Sequence, residues 1–267
     1  PGSRVKLADV DANDTGSLKK GEGLKLLDKE RERIASLQEV LFAENRRSLL
    51  VVLQGLDTSG KSGTIKAVFS AMNPLGLDVT SFGPPSALEL DHDFLWRVHQ
   101  RLPRKGNVGV FDRSHYEDVL VVRVKELVPE KVWKERYRQI NEFEAMAADH
   151  GTTIIKFFLH IDRAEQKERL QARLDDREKW WKFRPGDLED RARWDDFQAA
   201  YEDALEKCST KDAPWFVVPA DNKWFTRLVV AGAIHDGLRK LRLAYPKVDE
   251  AKKRDLRAAR TALTREK

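Results

Sequence analysis

Leu49-Leu50-Val51-Val52-Leu53-Gln54 runs straight into Gly55-Leu56-Asp57-Thr58-Ser59-Gly60-Lys61-Ser62. No other stretch restricts the fold so strongly. Leu49–Leu53 is continuously apolar, not alternating, as in a parallel strand buried on both faces. The second part fits G-x-x-x-x-G-K-[ST] at every fixed position, and a helix is predicted just after it, over Thr64–Met72. That strand–loop–helix context raises the motif above chance and disfavours a glycine-rich turn that binds nothing. Glycines let backbone N–H groups turn inward around an oxyanion, and the helix start adds unpaired N–H groups and a positive dipole end. Lys61 supplies a mobile cationic point charge. Gly55, Thr58, Ser59, Gly60, Ser62, Gly63, Thr64 and Lys66 are the accompanying candidates for phosphate contact.

The same grammar repeats along the chain. Further strands are predicted at Val79–Phe82, at Val108–Phe111 ending on Asp112, at Thr153–His160 and at Trp215–Val218. Helical stretches are expected from Lys25 onward, at Leu88–Arg101, at Val132–Ala148 and through the charged block 163–207. Strands alternating with helices imply an α/β fold with a five-stranded parallel sheet. Without internal repeat or long linker, one domain is expected over 25–246. Residues 1–24 read as an N-terminal arm, about 163–196 as a helical insertion, and 247–267 as a basic C-terminal helix or tail.

Composition narrows the partners. The 267 residues carry a net charge of +5 and a sequence pI near 9.2. A basic balance favours a polyanion: nucleic acid, nucleotides, another phosphate polymer or an anionic membrane surface. A solvated basic surface is the plain alternative. The single cysteine, Cys208, excludes an intrachain disulfide framework. No apolar run approaches the roughly 20 residues of a membrane span, and the first residues lack a signal peptide's apolar core. A cytoplasmic protein is expected.

Two carboxylates invite a metal. Asp57 sits inside a loop built to attract anions, which is economical if Mg²⁺ bridges it to phosphate. Asx side chains also cap turns, and position alone leaves both readings open. Asp112 ends a predicted central strand, where ligands bind in open parallel sheets and where phosphate-loop enzymes place their second Mg²⁺ partner. The next residue is Arg113, not the glutamate that orients a hydrolytic water in mechanical ATPases; a cation there favours transfer over hydrolysis. In the insertion, Arg169 and Arg173 lie four apart on one helix face, and Lys179, Lys182 and Arg184 continue the basic run around Trp180 and Trp181. This suits a lid that closes on a transferring phosphate; a solvated helix with ordinary ion pairs is the alternative. His99 and His115 lie near the site, but no spacing suggests zinc.

Taken together, "GLDTSGKSGTIKAVF", "VFDRSHYEDVLVVRV" and the long segment from "KFFLHIDRAEQKERL" through "WWKFRPGDLEDRARW" resemble the polyphosphate kinase 2 family, over about residues 30–245. The resemblance implies a thymidylate-kinase-like P-loop fold of three layers, with polyphosphate in a basic channel. It implies Mg²⁺-dependent, reversible phosphoryl transfer between inorganic polyphosphate and nucleotides, AMP or ADP becoming ADP or ATP; Mn²⁺ is the alternative metal. Asp57 and Asp112 match the family's essential acidic pair, Lys61 its loop lysine, and Arg113 and Arg173 its phosphate-binding arginines. Arg169 and Lys182 join the candidate phosphate ligands. Asp93, Trp96, Arg97, Asp221, Asn222 and Lys223 are candidates for the border of the nucleotide pocket, each with an equal structural reading. Ser62 falls where the family varies, and Arg177 stands where many members have proline. The implied partners are polyphosphate and purine nucleotides, with no nucleic acid and no membrane, in a homo-oligomer. The rivals are an ATP-dependent nucleotide kinase on the same fold and, against the absence of a glutamate after Asp112, a nucleic-acid-binding ATPase.

Overall fold

The computed structural model describes residues 2–266; residues 1 and 267, the outermost positions of the predicted arm and tail, lie outside them. Five strands form one parallel sheet: β1 (Ser48–Gln54), β2 (Leu77–Ser81), β3 (Val108–Asp112), β4 (Thr152–His160) and β5 (Trp215–Pro219), in the order β2-β3-β1-β4-β5. This is the P-loop kinase architecture expected from the sequence. All seven residues of β1 are buried, as its unbroken apolarity foretold. Leu53 pairs with Asp112 on one side and Phe157 on the other. The loop after β1, the turn after β3 and the chain leaving β4 therefore emerge side by side, at the carboxyl edge where ligands bind in such sheets.

The helices are α1 (Lys20–Glu44), α2 (Lys61–Phe69), α3 (Ala87–Leu90), α4 (Trp96–His99), α5 (Val121–Val124), α6 (Glu130–Asp149), α7 (Arg163–Asp175), α8 (Gly186–Ala192), α9 (Trp194–Cys208), α10 (Lys223–Lys240) and α11 (Glu250–Arg265). In α6, Trp133, Tyr137, Ile140, Phe143, Glu144 and Ala147 are buried, the one-sided stripe of an amphipathic helix.

Several boundaries differ from expectation. The predicted helix 88–101 is two single turns, because Asp93 accepts a hydrogen bond from the Leu95 N–H (2.9 Å) and breaks the run. Helix α1 starts at Lys20, not Lys25. Its first turn lacks an apolar period, but Gly23 is buried against Trp224 of α10; a Cβ there would lie 2.1 Å from the indole ring. Helix α10 itself goes beyond the sequence-based expectations, since its buried Thr226, Val230, Ala231, Ile234 and Leu238 alternate with apolar residues on its other sides. The charged block divides into α7, a 3₁₀ stretch (Arg177–Lys182), α8 and α9. Of these α9 belongs to the core, burying Trp194, Phe197, Tyr201 and Leu205, so the exposed part of the insertion ends near residue 193.

Before α1 the chain has one 3₁₀ turn (Leu7–Asp9) and is docked on the domain. Leu7 is buried and its N–H donates to Glu202 Oε1 (2.7 Å). The Val10 carbonyl lies 3.1 Å from His160 Nε2, and the Ala12 carbonyl accepts from the Asp221 N–H (3.1 Å). Helix α11 buries no residue.

Candidate active site

The loop after β1 takes its shape from positions only glycine fills easily. Gly55 has φ +152° and Gly60 φ +102°, outside the range L side chains adopt, and a Cβ on Gly55 would press 2.8 Å from the Leu159 carbonyl oxygen. Lys61 opens α2 and folds back over the loop, its Nζ donating to the Gly55 (2.7 Å) and Leu56 (3.2 Å) carbonyls. Burial lowers its pKa and Arg113 adds to that, while Asp57 and Asp112 pull it back up.

Across from the loop, Asp112 accepts a hydrogen bond from Ser62 Oγ (2.9 Å). Arg113 Nη2 donates to Asp57 Oδ1 at 2.7 Å. Arg113 holds φ +63°, a left-handed conformation that costs an L-residue about 1–3 kcal/mol and tends to persist at functional sites; its N–H is tied to the Leu53 carbonyl (3.0 Å). Burial opposes its charge, but Glu117 and Asp57 keep its pKa above the ordinary arginine value.

Helix α7 forms the opposite wall. Arg173 Nη1 donates to Asp187 Oδ2 (2.9 Å) and to the Lys182 carbonyl (3.2 Å). Burial pushes the Asp187 carboxyl up, with Asp57 adding to that and Arg173 opposing it. Together these elements enclose a cleft of about 590 Å³ that includes Asp57, Lys61, Asp112, Arg113 and Arg173. Eight cationic side chains line it against three carboxylates, and Trp181 is its one aromatic ring.

The predicted residues divide. Asp57, Thr58, Gly60, Lys61, Ser62, Gly63, Asp112, Arg113, Arg169, Arg173, Lys182 and Lys223 all reach this cleft. Gly55, Ser59 and Thr64 support the loop from beneath, with Ser59 and Thr64 buried. Lys66 is exposed and outside the cleft, one helical turn beyond Ser62 and Gly63 and so away from the N-terminal end of α2 that meets the cleft. Arg169 faces the cleft but donates to the Thr58 (2.9 Å), Ala220 (2.8 Å) and Asp221 (2.7 Å) carbonyls, bracing two loops.

Among the candidates for the nucleotide border, Arg97 lines a second cleft of about 370 Å³ and donates to the Gly83 carbonyl (2.8 Å). This cleft shares Ser81 with the first. Trp96 stacks on His92 with ring centroids 4.1 Å apart, and Asp93 caps the Leu95 N–H. Asp221 accepts from the Asp162 N–H (3.1 Å) and Asn222 donates to the Asn13 carbonyl (3.1 Å); both hold the loop and arm and leave no donor set on a cleft.

Asp187 and Ser81 join the cleft lining unannounced by the sequence, and Glu117, outside that lining, acts on it through the charge of Arg113. Glu117 is half-buried; burial pushes its carboxyl up while Arg113 and Lys61 pull it down. Its place in "DRSHYED", five residues after Asp112, is a signal that only the fold makes legible, because a 3₁₀ turn (His115–Asp118) brings it back toward Arg113. Among the described residues no helix is long and apolar enough to cross a membrane, and no group of three or more His, Cys, Asp or Glu forms a metal cage.

Known proteins carry the same arrangement of segments. The family model "Polyphosphate kinase 2 (PPK2)" matches residues 17–244. The AMP/ADP-polyphosphate phosphotransferase of Meiothermus ruber is 52% identical over 253 residues, covering 94% of this chain and 95% of that protein. The ADP-polyphosphate phosphotransferase of Rhodopseudomonas palustris is 44% identical over 250 residues, covering 89% of this chain and 86% of the other. The crystal structure of polyphosphate kinase 2 from Arthrobacter aurescens TC1 superposes with a TM-score of 0.92 at 46% identity, over 97% of this chain and 94% of that one. A phosphate loop, an acidic strand end and a basic helical wall, met in this order and spanning nearly the full length of such relatives, make this chain a member of the polyphosphate kinase 2 family.

Proposed function

We propose that the chain catalyses reversible phosphoryl transfer between inorganic polyphosphate and nucleoside mono- and diphosphates, with AMP and ADP as acceptors. The observation that carries this reading is the charge of the cleft. Eight cations face three carboxylates there, and Trp181 alone could meet a base. A polyanionic donor without a base fits such a channel.

The oxygen ligands of the cleft suit Mg²⁺. Ser62 Oγ and the Asp112 and Asp57 carboxylates are hard oxygen ligands on one cleft, and Mg²⁺ is commonly held by one or two carboxylates with phosphates completing its shell. Asp57, Asp112 and Ser62 would hold the ion, which supplies charge neutralisation between donor and acceptor phosphates. The chain's own groups do the rest. Lys61 has only the Gly55 and Leu56 carbonyls to leave before it meets a phosphate oxygen. Arg113 can transfer its Nη2 donor from Asp57 to the transferring group, and Arg173 closes from α7. The attacking acceptor oxygen is already ionised near neutral pH, so positioning and electrostatics suffice without a general base. Cytoplasmic residence belongs to the same reading and is supported by the unpaired, buried Cys208.

The test supplies purified polyphosphate with AMP or ADP, in separate reactions without ATP, and follows nucleotides by chromatography. ADP and ATP should form. Products that appear only when ATP is the donor would replace this reading with an ATP-dependent nucleotide kinase.

A further inference from the structure

Behind the turn that carries Arg113 and Glu117 lies a set of polar side chains with no access to solvent. Lys156 in mid-β4, His115 and Tyr116 are 0% exposed and Glu144 on α6 is 1% exposed. Lys156 Nζ donates to Glu144 Oε2 (2.5 Å), to the Tyr116 hydroxyl (2.7 Å) and to the Cys208 carbonyl at the end of α9 (2.7 Å). All three ammonium donors are thereby used. The Tyr116 hydroxyl donates to Glu144 Oε1 (2.9 Å), and His115 Nε2 lies 3.1 Å from the same oxygen. Burial would lift the Glu144 carboxyl, but Lys156 and His115 hold its pKa below the ordinary value, and burial keeps Tyr116 protonated. None of these side chains lines the cleft.

A dry ion pair is a poor device for stability, since apolar replacements are often neutral or stabilising; its best-attested use is to select one arrangement. The arrangement selected here can be read off the chain. His115 and Tyr116 fall between Arg113-Ser114 and Glu117. Ser114 Oγ accepts from Gln54 Nε2 (3.1 Å) and from the Tyr116 N–H (3.2 Å). Arg113 keeps its left-handed φ of +63° only while its surroundings over-determine it. Pinning Tyr116 from behind pins the turn in front.

We propose that Lys156, Glu144 and Tyr116 are positioning residues, which hold the 112–117 turn so that Arg113 faces the transferring phosphate. The proposal rests on the phosphotransfer reading of the cleft. Tyr116→Phe removes the hydroxyl and keeps the ring that packs 4.7 Å from Trp215. Its kcat in the polyphosphate–ADP assay should fall at least about 10-fold, because small misplacements of a clamp are costly. KM for both substrates should stay within about twofold, the signature of a loss confined to the reacting geometry. The double variant Lys156→Met, Glu144→Gln should fold and show the same split. Added to Arg113→Ala, Tyr116→Phe should lower kcat little further, since the two act as one unit. A core truncation elsewhere, Val230→Ala, should lower Tm and leave kcat alone. Wild-type kcat in Tyr116→Phe and in the double variant, or full multiplication of the Arg113→Ala loss, overturns the positioning role. An inactive wild-type chain in the same assay overturns the polyphosphate reading and this proposal with it; an active wild type matched by both Tyr116→Phe and the double variant overturns the positioning role alone.

Discussion

The floor of the cleft and its roof are built on different physical terms. The floor is made by strand ends. Every residue of β1 is buried, Lys61 rests on loop carbonyls, and Asp112 and Arg113 leave a strand paired directly to β1. The roof is the stretch after α7, where Lys179, Lys182 and Arg184 are exposed and Trp181 is 77% exposed. A pre-set floor costs no reorganisation when charge develops in the transition state. A loosely held roof can open for a polymer and close on it. On the proposed function the two walls divide the work: the floor defines where transfer happens, and the roof supplies charge when substrate arrives.

The largest losses are expected at the floor. Asp57→Asn and Asp112→Asn should each lower kcat/KM about 10²–10³-fold, a loss of the size seen when one preorganised electrostatic group is removed. Both side chains are partly exposed, so circular dichroism and Tm should stay near wild type. Near wild-type turnover in either variant would remove that carboxylate from the proposed metal site.

A smaller effect should separate the two arginines of α7. Arg173→Ala is expected to reduce kcat roughly 10–100-fold, less than the loss of an arginine finger, with little change in Tm. Arg169→Ala would leave the Thr58, Ala220 and Asp221 carbonyls without their donor, a stability cost of about 1–3 kcal/mol for buried groups left unpaired. Its signature is a lower midpoint in urea unfolding. Equal effects of the two substitutions on kcat and on stability would erase the distinction between brace and ligand.

The smallest effect concerns His160, beside which the arm docks. Burial lowers its pKa, against the opposing pull of the Val10 carbonyl and Asp162. The unfolded chain, with a free value of about 6.5, therefore takes up a proton first as pH falls. The folding stability contributed by His160 is thus fully present above about pH 6.5 and is lost as pH falls through the lowered value. The urea midpoint should drop modestly between about pH 7.5 and pH 5.5, and His160→Gln should make that drop smaller. An unchanged drop in His160→Gln would show that His160 does not contribute to it.

Legibility in the sequence followed the range of the interactions. The strands β1, β3 and β4 and the phosphate loop were readable because their signals are contiguous: apolar runs, then glycines at required φ. The segment 88–101 reads as one helix in the sequence, since the side-chain cap of Asp93 on Leu95 competes locally with helix and leaves no mark on the apolar period. Helix α10 is not legible because it is covered from several sides, which hides a one-sided pattern. Glu117 and Asp187 were missed for another reason. A carboxylate's role depends on which cation it meets, and Arg113 and Arg173 reach them only through a 3₁₀ turn and the fold-back of α8.

What the sequence determined by itself is the loop, the acidic strand end and the basic character of the opposing helix, because each is a property of neighbouring residues. Only the tertiary structure decided that Arg169 braces loops while Arg173 faces the cleft, that Asp221 and Asn222 hold the arm, and that Lys156, Glu144 and Tyr116 stand behind the reactive turn. Those assignments depend on which buried donor finds which acceptor across distant segments, and burial makes every such match obligatory only once the sheet has brought the segments together.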